Sequence, residues 1–285
     1  MSESIEAPRG LGILAGGGHL PLQVAQAARA SGRPVFVVGL EGFVDKAWLG
    51  DWPHEIIRMG AAGRIKAALE AHGCQDLVLI GPVRRPSFFD MRPDAFAARI
   101  LARVGKAAFT GDDGLLAGIV KVLGEEGFRV MGAQEILKEA LGPRGILTQT
   151  RPDAAAMADI ARGVIVARAL GSVDVGQGCV VQQGVVLAVE ALEGTDAMLA
   201  RCGPLALPAH GGVLVKLVKP GQDRRIDLPA IGPRTVAAAA AARLRGIAFE
   251  AAGAILVDRD LTIAAADKAG LFLLGLGPDE IDQGS

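Results

Sequence analysis

The sequence predicts an α/β protein, an N-terminal domain built on a doubly wound parallel sheet followed by a C-terminal mixed α/β domain. Three observations predict it. Short apolar runs alternate with helical patterns through the first half, the pattern breaks into turn formers near residues 142–153, and beyond that break the strands read as a hairpin mixed with helices.

The elements follow in order. LGILA, PVFVVGL and DLVLIG are continuous apolar runs of the kind buried on both faces, and PLQVAQAARASG and GRIKAALEAHG between them carry helical spacing. This is a βαβαβ series, and parallel strands joined by right-handed crossovers make the domain Rossmann-like. RPDAFAARILARVG, DGLLAGIVKVLGEEG and FRVMG add two helices and a strand, so the first domain is placed at 1–142. The turn-rich stretch GPRGILTQTRPD places a linker at 143–152. The second domain, 153–285, opens on a helix capped by Asp153 or a residue near it. CVVQ-QG-VVLAVEA then reads as two strands turning at Gly184. GVLVKLV is a further strand, TVAAAAAARL a helix, and IAFEA, AILVD and LFLLG closing strands.

Composition narrows the function. A chain of 285 residues, 51% hydrophobic with a mean hydropathy of +0.36, can bury a large core. A formal net charge of −1 offers no basic field for nucleic acid. Cys74, Cys179 and Cys202 lack metal or redox spacing, and the N-terminal MSESIEAPRG lacks the regions of a signal peptide, so a cytoplasmic protein is expected.

The stretch GILAGGGHLP runs a strand into Gly16, Gly17 and Gly18. A dinucleotide fingerprint, G-x-G-x-x-G, is met at Gly16 and Gly18 but has Pro21 at its third glycine, although Glu41 lies where a ribose-binding acid would. Two readings stay open, a cradle for an anion at the head of a helix and a tight turn only. No Walker lysine follows, there is no G-x-S-x-G, and His19, His54, His72 and His210 are scattered without H-E-x-x-H spacing.

Chemistry concentrates in VLAVEALEGTDAMLAR and GVLVKLVKPGQDRRIDLPAIGPRT. Glu190, Glu193, Asp196, Asp223 and Asp227 stand beside Lys216, Lys219, Arg224, Arg225 and Arg234. Carboxylates suit Mg2+, which uses one or two of them while substrate phosphates and water complete its shell, and the cations suit phosphate. Exposed ion pairs would give the same count. The expected catalytic set is Asp227, Asp223, Lys216 and Lys219, and the expected metal ligands are Asp227, Asp223, Glu190 and Asp196. Expected substrate contacts are Gly16, Gly17, Gly18, Gly81, Arg84, Phe88, Phe89, Asp112, Asp113, Thr148, Gln149, Thr195 and Arg225. Asp112 and Asp113 also open a helix, where an acid caps free N–H groups, and Phe88 and Phe89 either anchor the next helix or meet an acyl chain.

The strings LGILAGGGHLP, GPVRRP, GDDGLL, LGSVDVGQGCVV, VEALEGTDAMLAR, GVLVKLVKPGQDRRIDLPAIGPRT and AADKAGLF together resemble the UDP-2,3-diacylglucosamine pyrophosphatase family, over residues 10–277. The resemblance implies Mg2+-dependent hydrolysis of UDP-2,3-diacylglucosamine to 2,3-diacylglucosamine 1-phosphate (lipid X) and UMP in lipid A biosynthesis, by water attack on the β-phosphorus. It also implies that the acid of R-x-D-L-P, Asp227 here, is important for catalysis. Mn2+ is the expected substitute metal. A lipid-linked UDP-sugar implies transient contact with the inner membrane surface, with homodimer formation left open. An NAD(P)-linked oxidoreductase on the first domain and a non-catalytic lipid- or nucleotide-binding protein are the alternatives from other classes.

Overall fold

A computed structural model describes residues 8–83, 91–105, 112–207, 211–225 and 228–282, the side chains of residues 112 and 113 excepted. The chain divides into two compact units. Unit 1 is Met1–Lys138 together with Asp223–Asp227, and unit 2 is Glu139–Gln222 with Leu228–Ser285.

Unit 1 is a five-stranded sheet in the order β3-β2-β1-β4-β5, parallel throughout. Its strands are β1 (Gly10–Ala15), β2 (Val35–Leu40), β3 (His54–Ile57), β4 (Cys74–Ile80) and β5 (Arg129–Val130). Helices α1 (Leu20–Ala30), α2 (Ala62–Ala71), α3 (Ala95–Val104), α4 (Asp112–Glu125) and the single turn α5 (Ala133–Ile136) connect or follow them. Leu11, Ile13, Val37, Val38, Leu77 and Val78 are all buried, as strands covered on both faces require. Asp94 caps α3 by accepting from the Ala97 amide at 2.8 Å, and its other oxygen accepts from the Gly63 amide of α2 at 2.8 Å. One strand goes beyond the predicted series: His54–Ile57 is an edge strand on β2, and only Ile57 of its four residues is buried.

Unit 2 holds a six-stranded mixed sheet in the order β6-β13-β11-β9-β7-β8. Its strands are β6 (Gly145–Ile146), β7 (Gly178–Gln182), β8 (Val185–Val189), β9 (Val213–Lys216), β11 (Gly246–Glu250) and β13 (Phe272–Leu276). β9, β11 and β13 run parallel, while β6, β7 and β8 pair antiparallel. Helix α6 (Ala154–Ser172) covers one face, seating Ala156, Ile160, Val164 and Ala167 against Val181, Val213 and Val215. On the other face lie α7 (Gly194–Cys202), α8 (Pro233–Ala241) and α9 (Arg259–Ala269), and α10 (Pro278–Asp282) ends the series. Asp153 caps α6 as expected, accepting from the Ala156 amide at 2.7 Å. The β7–β8 hairpin turns on Gln183 and Gly184 with φ of 52° and 76°, the two positive angles of a type I′ turn. Buried Asp159 of α6 holds that turn by accepting from the Gly184 amide at 2.8 Å.

Two expectations need correction. AILVD does not close the main sheet: β12 (Ile255–Leu256) pairs with β10 (Ala230–Ile231) in a separate two-stranded sheet, and Ile255 also bridges to Leu141. The stretch read as a linker carries β6, whose residues Gly145 and Ile146 pair with Gly275 and Leu274. Helices α7 and α9 were not anticipated by the pattern, since each interleaves polar residues among few large apolar ones. Cys74, Cys179 and Cys202 are buried and free, and burial pushes the Cys179 thiol up to about 12. Among the described residues no helix is long and apolar enough to cross a membrane.

Candidate active site

In unit 1 the strand order reverses direction between β1 and β4, the point at which open α/β sheets bind ligands beyond their strand ends. The glycine turn lies there, and the loop after β4 lies beside it. The Gly16 amide donates to the Ile80 carbonyl at 2.9 Å and the Gly17 amide to the Pro82 carbonyl at 3.0 Å. A Cβ on Gly16 would lie 2.5 Å from the Gly81 oxygen, and one on Gly81 would lie 2.5 Å from the Gly17 oxygen. Gly81, with φ of +97°, and Gly16 are thus required by the mutual approach of two backbones. Two of the three amides expected to face an anion are spent inside the fold. Pro21, standing where a fingerprint has its third glycine, is buried in the first turn of α1, a position at which proline is preorganised for the helix. Gly16→Ala is expected to destabilise the protein by about 1–3 kcal/mol, because the added methyl meets backbone that cannot rotate away. Thermal unfolding of the variant checks this, and an unchanged Tm would mean that the two loops separate freely.

The segment Asp223–Asp227 groups with unit 1. Asp223 accepts from Arg225 Nη2 at 2.6 Å, from Arg225 Nε at 2.9 Å and from the Arg225 amide at 3.0 Å. Hydrogen bonding from that guanidinium holds the Asp223 carboxyl below the usual carboxylate range. The Arg224 carbonyl accepts from Gln134 Nε2 at 2.8 Å. Asp227, Arg84, Phe88 and Phe89 lie outside the described residues, as do the side chains of Asp112 and Asp113 at the start of α4.

In unit 2, strand pairing brings three of the expected residues together. β7 and β9 set Gly178 opposite Lys216 at the end of β9, and the Glu190 amide donates to the Gly178 carbonyl at 2.8 Å just past β8. Lys216 Nζ donates to Thr195 Oγ1 at 2.7 Å, and Thr195 Oγ1 donates to Glu190 Oε1 at 2.6 Å. Lys216 and Glu190 are 4% and 7% exposed, so both charged groups are inside the protein. Glu190 Oε2 is buried with no hydrogen-bond partner among the described residues. Lys219 is held apart from this chain by Asp174, its Nζ donating to Asp174 Oδ1 at 2.6 Å.

The other expected residues do not converge on this point. Asp196 is half exposed and pairs with Arg234 at 2.9 Å. Thr148 Oγ1 donates to the Thr150 carbonyl at 3.1 Å and accepts from the Leu273 amide at 3.0 Å, and the Gln149 amide donates to Asp267 at 2.7 Å. These bonds tie the segment after β6 to β13 and α9. Among the described residues no three of His, Cys, Asp and Glu lie together as a metal site. An ion that takes one or two carboxylates and completes its shell with water and phosphate oxygens would not need such a cluster. Sequence reasoning missed Asp174 and Gly178. Asp174 carries a positive φ of 53°, visible only in the fold, and Gly178 matters through its cross-strand partner.

A Rossmann-like parallel sheet joined in one chain to a mixed α/β unit with a buried lysine–threonine–glutamate chain places the protein among two-unit α/β proteins. Residues 10–140 match the family model described as the LpxI N-terminal domain, and residues 143–274 match that of the LpxI C-terminal domain. The chain belongs to the LpxI family. It is 44% identical over 278 residues to the UDP-2,3-diacylglucosamine pyrophosphatase LpxI of Caulobacter vibrioides, covering 95% of this chain and 99% of that one. Among solved structures, the GalE-like L-threonine dehydrogenase of Cupriavidus necator aligns over 96% of this chain and 88% of its own at 10% identity and a TM-score of 0.33, a likeness too slight to bear on function.

Proposed function

We propose that the protein hydrolyses the diphosphate of UDP-2,3-diacylglucosamine, releasing UMP and lipid X for lipid A biosynthesis. The observation that carries this reading is the 44% identity, spread over nearly the whole of both chains, to a relative that bears the name of that pyrophosphatase. A diphosphate resists hydrolysis because its negative charge repels nucleophiles, so the enzyme must supply positive charge and hold water in line. Lys216 is suited to the first task, as a buried cation with donors to spare. Asp227 is assigned to the second, either holding the ion or taking the proton of the attacking water. Water oxygen bonds to the β-phosphorus, the bond from that phosphorus to the bridging oxygen breaks, and UMP leaves with the electron pair.

We assign an Mg2+ requirement to the reaction, with Mn2+ as substitute. When bound, Mg2+ neutralises developing charge on the phosphoryl oxygens. Since the described acids do not gather around a point, that ion would rest on Asp227, water and the substrate's phosphate oxygens, a set Mg2+ commonly accepts. A substrate with two acyl chains also requires working contact with the inner membrane surface, for which Phe88 and Phe89 remain the assigned contacts. The test is incubation of the purified protein with UDP-2,3-diacylglucosamine and Mg2+ in H2(18)O. UMP should appear, and the label should enter lipid X, since in-line displacement leaves solvent oxygen on the phosphorus attacked. Label in UMP would mean attack on the α-phosphorus, and absence of UMP would refute the activity.

A further inference from the structure

The hydrogen bonds of the Lys216–Thr195–Glu190 chain have a fixed direction. An ammonium only donates, so Thr195 Oγ1 accepts from Lys216 and must give its single proton to Glu190 Oε1. Lysine carries three donors, and Thr195 is the one hydrogen-bond partner of Lys216 Nζ among the described residues. Two N–H groups are therefore unspent on a side chain that is only 4% exposed. Such an arrangement is costly as packing alone, since buried donors without partners lose their hydration and an apolar trio would fill the same space.

A second feature points the same way. Thr195 lies in the first turn of α7, a nine-residue helix whose N-terminus receives no side-chain cap. The positive end of the helix dipole and the Lys216 ammonium meet at the same threonine, which is the electrostatic requirement of a phosphoryl group. The position of Glu190 also has a consequence. A carboxylate bonded directly to Lys216 would pair with its charge most strongly, whereas one hydroxyl between them fixes the ammonium and weakens that pairing, which falls as the inverse of the distance. Gly178 makes the arrangement sterically feasible: a Cβ there would lie 2.8 Å from Glu190 Oε2 and 3.4 Å from Lys216 Cγ.

We propose that Glu190 and Thr195 are positioning residues that aim the Lys216 ammonium at a phosphoryl group of the bound diphosphate. The assignment rests on the pyrophosphatase reading for the identity of that diphosphate. Its test uses inorganic pyrophosphate as probe, titrated calorimetrically into the full chain, alongside kcat and KM for UMP release. Lys216→Met should weaken pyrophosphate binding about tenfold or more, and Thr195→Val about tenfold, while Thr195→Ser, which keeps the hydroxyl, stays near wild type. The double variant Lys216→Met/Thr195→Val should bind no more weakly than Lys216→Met alone, because Thr195 acts through the lysine. Purely structural roles would instead give independent losses that multiply.

Matched melting temperatures establish that the variants are folded. Should Thr195→Val not fold, Glu190→Gln keeps size and one acceptor while removing the charge, and the same weakened binding is expected. Wild-type affinity in Lys216→Met, multiplying effects in the double variant, or no pyrophosphate binding by the wild-type protein would each overturn the proposal. Lys216-dependent binding without UMP release would uphold the anion site and refute the pyrophosphatase reading. UMP release with an unimpaired Lys216→Met variant would do the reverse.

Discussion

Replacing Asp227 with alanine is expected to lower kcat for UMP release by about a hundredfold or more, with substrate affinity largely retained. The expectation rests on the string QDRRIDLP, in which Asp227 follows two arginines and an aspartate. It rests also on what the neighbouring acids do. Asp223 is occupied by hydrogen bonds from three donor groups of Arg225, and Asp196 by an exposed pair with Arg234. Asp223 would have to give up that guanidinium to handle a proton or an ion, while Asp196 is engaged through one oxygen only. A group that acts on the attacking water stabilises the transition state more than the ground state, so its loss falls on kcat rather than on binding. Steady-state kinetics with calorimetric titration of substrate separate the two. Retention of more than about a tenth of the wild-type rate would assign Asp227 a structural role, since a lost base or metal contact costs more than that.

Chelation is the second large effect. EDTA should abolish UMP release, and added Mg2+ should restore it, with Mn2+ able to substitute because it shares the preference for oxygen ligands. The expectation follows from the charge of the diphosphate and, among the described residues of the expected set, from how few cations are left to neutralise it. Lys219 is engaged by Asp174 at 2.6 Å, and Arg225 by Asp223, which leaves Lys216 as the buried cation of the expected set with donors in reserve. One ammonium balances only part of a diphosphate. Full activity in chelator would show that protein cations suffice, and would leave the fold and the substrate assignment intact.

Strands buried on both faces were legible because they consist of near-continuous apolar residues, as in LGILA and PVFVVGL. The Asp153 cap and the Gln183–Gly184 turn were legible because side-chain chemistry and positive φ are local properties. His54–Ile57 was hidden by its position at an edge, where one buried residue suffices, and β6 by its two-residue length. The site followed the same division. Lys216, Thr195 and Glu190 could each be picked out by type and neighbourhood, but their connection depends on β7 pairing with β9 and β8, a non-local fact. The glycine turn shows the same limit. Its composition is compatible with a ligand cradle and with a tight turn, and only the fold shows that Gly16 and Gly17 donate to the end of β4 and to the loop after it. Local sequence reports a backbone's freedom and not the partner that uses it.

The order of strands in unit 2 also dictates when that unit can form during synthesis. β6, near the start of the unit, pairs only with β13, the last strand of the chain. An emerging chain must therefore hold β6 unpaired until residues 272–276 have left the ribosome, and the edge of β11 that receives β13 waits on the same event, although β9 can already pair with β7 and β11. Unit 1 is under no such delay for its sheet, because β5 is complete at Val130. Its final segment, Asp223–Asp227, nevertheless arrives only after most of unit 2 has been made. Nascent protein thus spends its translation with one sheet able to consolidate and the other exposed to mispairing, and a ribosome stalled before the last strand would release a chain vulnerable to aggregation and proteolysis.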